Sequence, residues 1–419
     1  MQHLTSEHTH SAHMHEVKSV EKTTCCIVGG GPAGAVLALL LARKGIQVTL
    51  LEAHMDFDRE FRGDTIHPST LNILDEIGLA DRLLQIPHTR LTSLNAETAD
   101  GMVTLADFAR LHTNYPYIAM IPQAKFLEFI TAEAQRYPEF RLVMGAQVDE
   151  LIEENGKVRG VHYRGHDGWH EVQAVLTIGA DGRFSRMRKL AGFEPIKTSP
   201  PMDVLWFRLS RKPSDPDRTF GRILPHLAVI HLNRGDYWQL AYIIPKNHYQ
   251  EVRAAGLEHF RQSVAKIWPE LADRVHELQD WKQVSVLSVE SSRLRQWYRP
   301  GLLLIGDAAH VMSPVGGVGI NYAIQDAVVT ANVLSRKLAY GIVQLHDLAT
   351  VQRLRERPTR LIQAYQGIVQ KNVFASVFNS DQPFTVSPLT KLMLHIPFIR
   401  DIPGRIIALG LWPVHLKEP

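Results

Sequence analysis

The chain has 419 residues, 45% of them hydrophobic, enough to bury a large core and to divide into two domains. Its formal net charge is only +3 and its basic residues are scattered, so it carries no electrostatic footprint for nucleic acid. No uninterrupted apolar run reaches the roughly 18 to 20 residues that a spanning helix needs, which excludes a transmembrane segment.

In chain order, residues 1–20 hold five of the 21 histidines (His3, His8, His10, His13, His15) among Ser, Thr and Glu. Without an apolar h-region this is no secretory signal; it reads as a disordered tail, a metal site being the less ordinary alternative. Residues 23–52 carry the strongest pattern. An apolar strand from Cys25 to Val28 turns through Gly29-Gly30-Gly31-Pro32-Ala33-Gly34, an Ala- and Leu-rich helix runs to about residue 44, and a second strand ends on Glu52. Gly29 permits the turn, Gly31 lets a pyrophosphate approach the backbone, and Gly34 lets helix and strand pack closely. The helix start, with its free N–H groups and positive dipole end, attracts that pyrophosphate. A terminal carboxylate accepts ribose hydroxyls and repels a 2′-phosphate, so the expected ligand is FAD or NAD and not NADP. The adjacent Cys25 and Cys26 point to opposite faces of a strand and cannot pair; as small buried hydrophobes they fit a reducing cytoplasm.

A charged loop carries Arg59 and Arg62, from which an arginine can contact phosphate or ribityl oxygens. A short helix follows over 68–77, with Pro68 at its start and Gly78 beyond its end. Residues 91–108 read as a hairpin, and Gln123 heads a helix to about residue 135. Strands at 142–144 and 147–148 and a hairpin over 157–178 alternate in the antiparallel manner. A strand then runs into Gly179-Ala180-Asp181-Gly182, where the ordinary role of Asp181 is a helix cap. From 202 to 289 come aromatic-rich strands and a helical pair at 256–265 and 269–277, an inserted antiparallel sheet whose face is a natural wall for an apolar ligand. His67, Arg208, His231, Tyr237, Gln239 and Tyr242 are the polar groups nominated near a substrate; none is assigned a catalytic role.

The strand 302–305 ends in Gly306-Asp307, and the loop from Met312 brings Pro314, Gly316, Gly317 and Gly319 to a helix starting at Ile320. Three glycines in four positions at a helix start imply close approach by something flat or anionic. Beyond 345 the chain reads as helical to about 377. The last forty residues alternate prolines with apolar clusters; Lys391, Arg400 and Arg405 allow a peripheral membrane contact, and a tail packed over the sheet or at a subunit interface is the more ordinary reading.

Three stretches together, GGGPAG (29–34) with Glu52, GADGRFS (179–185) and GDAAHVMSPVGGVGINYAIQDA (306–327), resemble the FAD-dependent aromatic hydroxylase family, the single-component flavin monooxygenases of the p-hydroxybenzoate hydroxylase fold. Their order and spacing match over residues 23–335. The resemblance implies an α/β fold: a Rossmann-like FAD-binding domain over 21–90, 116–200 and 293–345, an inserted antiparallel-sheet substrate domain over 91–115 and 201–292, and a helical C-terminal region over 346–419. It implies that Gly29, Gly31, Pro32, Ala33 and Gly34 hold the FAD pyrophosphate and Glu52 the adenosine ribose. Arg62, Gln123 and Val148 join the cofactor contacts, with glutamine at 123 where family members often have arginine. Asp181 belongs to a motif associated with both FAD and NAD(P)H, and Gly306 and Asp307 reach the ribityl chain. Pro314, Gly317, Gly319 and Ile320 lie against the isoalloxazine ring.

The expected activity is hydroxylation of a small or medium organic molecule, aromatic or polycyclic, by O2 and NADH or NADPH through a flavin C4a-hydroperoxide, by a cytoplasmic monomer or homodimer without a metal. A helix start near N1 and C2=O would stabilise the anionic reduced flavin. The competing readings are a flavin-dependent reductase of isoprenoid double bonds, a plain NAD-dependent dehydrogenase, and a non-catalytic FAD-binding protein.

Overall fold

The computed structural model describes residues 16–58, 64–216, 219–387, 392 and 396–417. Arg59 and Arg62 lie outside the described residues, as does the histidine-rich stretch through His15.

Five strands run parallel in the order Leu302–Leu304, Gly168–Gly179, Val17–Val28, Val48–Glu52 and Phe140–Met144. The first strand begins at Val17, inside the segment expected to be a disordered tail. Residues 17–23 gain their order from the partner strand, where Val17 is in register with Trp169 and Thr23 with Ala174, a pairing that no local apolar run announces. An antiparallel ribbon, Gln147–Glu154 and Lys157–Gly165, hangs from the same partner strand. The alternating pattern over 142–178 is therefore only partly antiparallel: Phe140–Met144 pairs parallel with Val48–Glu52, since its chain returns through the helix Gln123–Ala134 and not through a hairpin.

The helix Pro32–Ala42 is apolar all round, and every residue from Ala33 to Ala42 is buried. Such a helix needs cover on every side. It has the sheet beneath it and packs against the helices Gln123–Ala134 and Gly319–Ala339. Each of its leucines contributes roughly 1.5 to 3 kcal/mol by leaving water. Cys25 and Cys26 lie in the same core, unpaired and fully buried. Burial pushes the Cys25 thiol up to about 12 and Cys26 up as well, so both are inert hydrophobes.

A second sheet of seven strands stands over the first domain. Its order is Ser285–Leu287, Met202–Ser210, Tyr237–Pro245, Leu227–Asn233, Phe220–Leu224, Ser93–Thr98 and Gly101–Asp107. Leu205, Phe207, Leu240 and Tyr242 pack on one face against Phe260 and Val264 of the helix Leu257–Ile267. The second member of the expected helical pair is two 3-10 turns, Pro269–Leu271 and Val275–Glu277. Trp268 leaves helical geometry at φ −131°, ψ 73°, as a residue ahead of proline is biased to do.

The helix Leu345–Asn379 runs along both domains, and the helix Pro397–Leu409 returns over the junction. Ile407 and Ala408 of the latter are buried with Phe108, Met312, Val318 and Tyr322. The tail is thus packed over the sheet. No helix among the described residues is long and apolar enough to cross a membrane.

Candidate active site

The three glycine-containing motifs touch one another. Gly29, at φ +105°, lies so close to the Asp-Gly motif that a Cβ there would sit 2.5 Å from the Ala180 carbonyl oxygen. A Cβ on Gly34 would stand 2.0 Å from the Gly29 carbonyl oxygen, which is the close approach of helix and turn that requires glycine. Gly306 fits between the Cβ atoms of Ala33 and Ala323, each 3.2 Å from where its own Cβ would be. The opening turns of the helices Pro32–Ala42 and Gly319–Ala339, nearly three hundred positions apart, therefore meet at one glycine.

Arg188 draws the second and third motifs together. It donates to the carbonyls of Arg183 at 2.7 Å, Ala308 at 3.1 Å and Asp307 at 3.5 Å. Asp181 is a cap: its carboxylate accepts from the N–H groups of Arg186 and Met187 at 2.6 and 2.9 Å and from the Ser185 hydroxyl. Burial raises its pKa against these bonds. Asp307 is half-buried beside Gly306. Glu52 accepts from the N–H of Gly30 at 2.8 Å and the N–H of His54 at 3.0 Å, so its carboxylate is fixed at the mouth of the first turn. Val148 is 4% exposed, on the strand just after Ala146, whose N–H donates to the Glu52 carbonyl. Gln123 is half-buried at its helix start, and its N–H donates to Asp64 Oδ1 at 3.0 Å.

The turn from Pro314 to Ile320 is held from several sides. Gly316 and Gly317 take φ of +79° and +64°, a conformation that other residues avoid. The Asn321 side chain accepts from His67 N–H at 3.0 Å and Thr70 Oγ1 at 2.7 Å, and its Nδ2 donates to the Thr65 carbonyl at 3.3 Å. Thr65 Oγ1 donates to the Gly317 carbonyl at 3.0 Å. Behind the turn, the fully buried Asp326 accepts from Gly306 N–H at 3.0 Å, His310 Nε2 at 2.6 Å and Arg355 Nε at 2.7 Å. Burial alone would raise the Asp326 pKa; His310 and Arg355 outweigh it and hold it below the ordinary value.

Alternation along the strands sorts the nominated polar residues. His231 meets Phe220 edge to face and packs at a tilt against Trp238 and Trp268, and Tyr242 bonds Ser263 at 2.6 Å. Both belong to the face turned to the helix Leu257–Ile267 and away from the glycine turns. Arg208, Tyr237 and Gln239 share the opposite face with Trp206, Leu232 and Ala241. That face looks towards the glycine turn, for Val315 packs with the Ala241 cluster and Leu232 with the Val318 cluster. His67 sits under the turn: Nδ1 donates to the Ile407 carbonyl at 2.8 Å, and Nε2 has no hydrogen-bond partner among the described residues. Burial lowers its pKa to about 4, so it is neutral.

Asp64 and Arg234 escaped the sequence reading. Arg234 NH2 donates to Asp64 Oδ2 at 2.6 Å and Nε donates to Gln239 Oε1 at 2.8 Å, while NH1 is buried without a partner among the described residues. Burial raises the Asp64 pKa even beside that guanidinium. Asp64 thus ties the Gln123 helix start to the sheet at the edge of the glycine turn. Neither lies in a motif: Arg234 is in the turn between the strands Leu227–Asn233 and Tyr237–Pro245, and Asp64 precedes the short strand Thr65–Ile66. Asn321 and Arg188 carried a weak signal in their adjacency to the motifs.

FAD fits these residues. The helix Pro32–Ala42 has no side-chain cap and no acid in its first turn, and nothing lies within 4 Å of a Cβ built on Gly31. Open space thus stands before uncapped N–H groups, as an anionic pyrophosphate requires. The start of Gly319–Ala339 likewise lacks a side-chain cap and an acid.

Comparisons with known proteins agree. Residues 22–363 match the family model described as an FAD binding domain. The chain is 36% identical over 346 residues to 6-methylpretetramide 4-monooxygenase of Streptomyces rimosus, covering 81% of this chain and 82% of that one. Its fold is similar to p-nitrophenol 4-monooxygenase PnpA of Pseudomonas putida DLL-E4, with TM-score 0.74, 20% identity, and 93% and 99% of the two chains covered. It is also similar to the anhydrotetracycline hydroxylase OxyS of Streptomyces rimosus, with TM-score 0.71, 22% identity, and 92% and 76% covered. A dehydrogenase needing only the first glycine turn does not account for a match that continues to residue 363. The chain belongs to the FAD-dependent monooxygenases of the aromatic hydroxylase family, and it is an FAD-dependent oxidoreductase that takes its electrons from NAD(P)H.

Proposed function

We propose that this monooxygenase hydroxylates a flat, polycyclic, oxygen-rich aromatic molecule lodged between the seven-stranded sheet and the glycine turn at residues 314–320. The observation that carries this reading is the sheet face itself: apolar Trp206, Leu232 and Ala241 in its middle, and Arg208, Arg234, Tyr237 and Gln239 at one end. An apolar wall binds ring faces, and a few convergent polar groups orient the ring oxygens. The relatives named for 6-methylpretetramide and anhydrotetracycline support a polycyclic substrate for this chain as well.

FAD, when bound, supplies the electrons taken from NAD(P)H and the activation of O2. The protein's share is to bind, orient and exclude water. Gly29, Gly31, Pro32, Ala33 and Gly34 hold the pyrophosphate, Glu52 the adenosine ribose, and Gly306 and Asp307 the ribityl chain. Pro314, Gly317, Gly319 and Ile320 face the ring. Gln123 and Val148 complete the cofactor contacts from their places beside Asp64 and Glu52, Arg62 is assigned to the central part of the cofactor on its family position alone, and Asp181 holds its motif against Gly29. Backbone N–H groups at the start of the helix Gly319–Ala339 offer fixed dipoles to negative charge on the ring, at no cost of reorganisation. Arg234 NH1, buried and unpartnered, is a donor available to a substrate carbonyl or phenolate. Two reduced, inert cysteines fit a cytoplasmic enzyme.

The test is stimulated NADPH and NADH oxidation under air by FAD-loaded protein, over a panel from simple phenols to linear four-ring polyketides, with product masses measured. Turnover of the four-ring compounds with gain of one oxygen atom is expected. Preference for single-ring phenols would sink the substrate assignment, and anaerobic reduction of an isoprenoid double bond would reinstate the reductase.

A further inference from the structure

A cavity of about 620 Å3 lies beside Ser313, at the entry to the turn at 314–320. It opens between the strands Ile196–Thr198 and Ser291–Arg293 and the helix Leu345–Asn379. This is within the size range of small-molecule pockets, and its border carries more cations than the sheet face described above. Three cations, Arg293, Arg360 and Lys371, border it, and no Asp or Glu does among the described residues. Arg360 has Glu356 at 4.0 Å; Arg293 and Lys371 have no carboxylate partner among the described residues. Positive charge gathered at the border of a concave surface, with little acidic compensation, favours an anionic occupant.

The floor of the cavity is wired to the flavin-facing turn. Gln366, 1% exposed, donates from Nε2 to the carbonyls of Ser313 at 2.9 Å and Val315 at 2.8 Å. Gln370 Nε2 donates to the Ser313 hydroxyl, which in turn accepts from Val315 N–H at 3.2 Å. Gln366 Oε1 is buried with no partner among the described residues. A buried acceptor prefers a partner, and a donor on a bound molecule would supply one. Ser313 and Gln366 each face the cavity and support the turn.

We propose that this cavity binds an organic phosphate, its anionic groups held by Arg293, Arg360 and Lys371, and that occupancy is felt at residues 313–315 through Gln366 and Gln370. The proposal rests on FAD binding by this chain and not on the substrate assigned above. Two sources share the chemistry: the nicotinamide dinucleotide reductant and a separate phosphorylated metabolite.

The test is calorimetric titration of FAD-loaded protein, without substrate, with inorganic pyrophosphate and separately with NADPH. Wild type is compared with Arg293→Gln, Lys371→Gln and the double variant, with flavin content and melting temperature checking the fold. Loss of a charged hydrogen bond predicts at least a tenfold weaker Kd in the double variant, together with loss of the flavin absorbance shift that saturation produces in wild type. If NADPH affinity falls in parallel and pyrophosphate competes with it, the occupant is the reductant. If only pyrophosphate binding falls, it is a separate phosphate. Equal affinities of wild type and both single variants for both probes, or no binding of either probe by wild type, overturn the site. If Arg293→Gln loses its flavin, exposed Lys371→Gln and Arg360→Gln carry the comparison. Failure here leaves oxygen-dependent turnover untouched, so the two proposals fail separately.

Discussion

The His67 imidazole donates to the carbonyl of Ile407 at 2.8 Å, across 340 positions of chain. This bond fixes the C-terminal helix over the glycine turn, where Ile407 side-chain carbons lie 3.4 and 3.7 Å from the Cβ position of Gly316. It also fixes a charge state. Burial lowers the His67 pKa from 6.5 to about 4, and burial lowers His231 to about 3. In the unfolded chain both take a proton near pH 6.5; in the fold they refuse it until far lower. Stability is therefore independent of these groups above pH 6.5 and is lost as pH falls from 6.5 towards 4, on the order of 1 to 3 kcal/mol for each. Urea unfolding at pH 7.5, 6 and 5 measures the slope. His67→Asn, which keeps a donor for Ile407, flattens it; equal slopes for variant and wild type would show that His67 is not held neutral.

Two glycines of one motif separate folding from cofactor binding. A methyl on Gly34 would stand 2.0 Å from the Gly29 carbonyl oxygen, whereas a methyl on Gly31, at φ −70°, meets nothing within 4 Å. Gly34→Ala is expected to cost the apoprotein several degrees of melting temperature, as overpacking of about 1 to 3 kcal/mol does. Gly31→Ala costs the apoprotein less than Gly34→Ala does, because its methyl meets no atom and only the preference for glycine over alanine at the N-cap is lost. It weakens FAD by at least about tenfold, since the methyl fills the space needed for the pyrophosphate. Fluorescence titration with FAD beside thermal melts reads both. A Gly31→Ala protein with unchanged FAD affinity would remove the pyrophosphate from that place.

What was legible in the residues was local: a turn that must be glycine, a helix apolar all round, a carboxylate ending a strand. Those features depend on near neighbours in sequence, so spacing alone reveals them. What stayed hidden was made by partners far along the chain. The strand from Val17 owes its order to Trp169–Gln173, and Asp64 acquires meaning only when Arg234 arrives from a hairpin 170 positions away. His231 and Tyr242 looked like Tyr237 and Gln239 until strand register set them on opposite faces. Register needs the turn and both neighbours.

Arg188 offers a check on the clamp between motifs. It is 8% exposed and serves the carbonyls of Arg183, Asp307 and Ala308. Arg188→Ala strands these acceptors and is expected to cost about 2 to 4 kcal/mol. Arg188→Lys keeps one donor direction of the three and falls between. FAD affinity should drop in step with stability, because the Gly306-Asp307 turn loses its hold on the Asp181 motif. Denaturant melts and FAD titrations on the two variants test this, and a stability loss with unaltered FAD affinity would place the clamp outside the cofactor site.

The Asp64–Arg234 pair gives the sharpest view of substrate orientation. Its side chains are 16% and 5% exposed, and the pair holds Gln239 and the Gln123 N–H in one network. Removing one partner of a buried pair leaves an uncompensated charge, at about 3 to 5 kcal/mol. Arg234→Met is therefore strongly destabilising, and the double variant Asp64→Asn with Arg234→Met recovers much of the loss. Activity should not recover with it. If Arg234 NH1 meets a substrate oxygen, the double variant keeps FAD and NAD(P)H oxidation, yet yields less hydroxylated product per NAD(P)H and more hydrogen peroxide, because the ring is no longer held at the reacting face. Product and peroxide assays on the refolded double variant decide it: full coupling would reduce Arg234 to a brace between the two sheets.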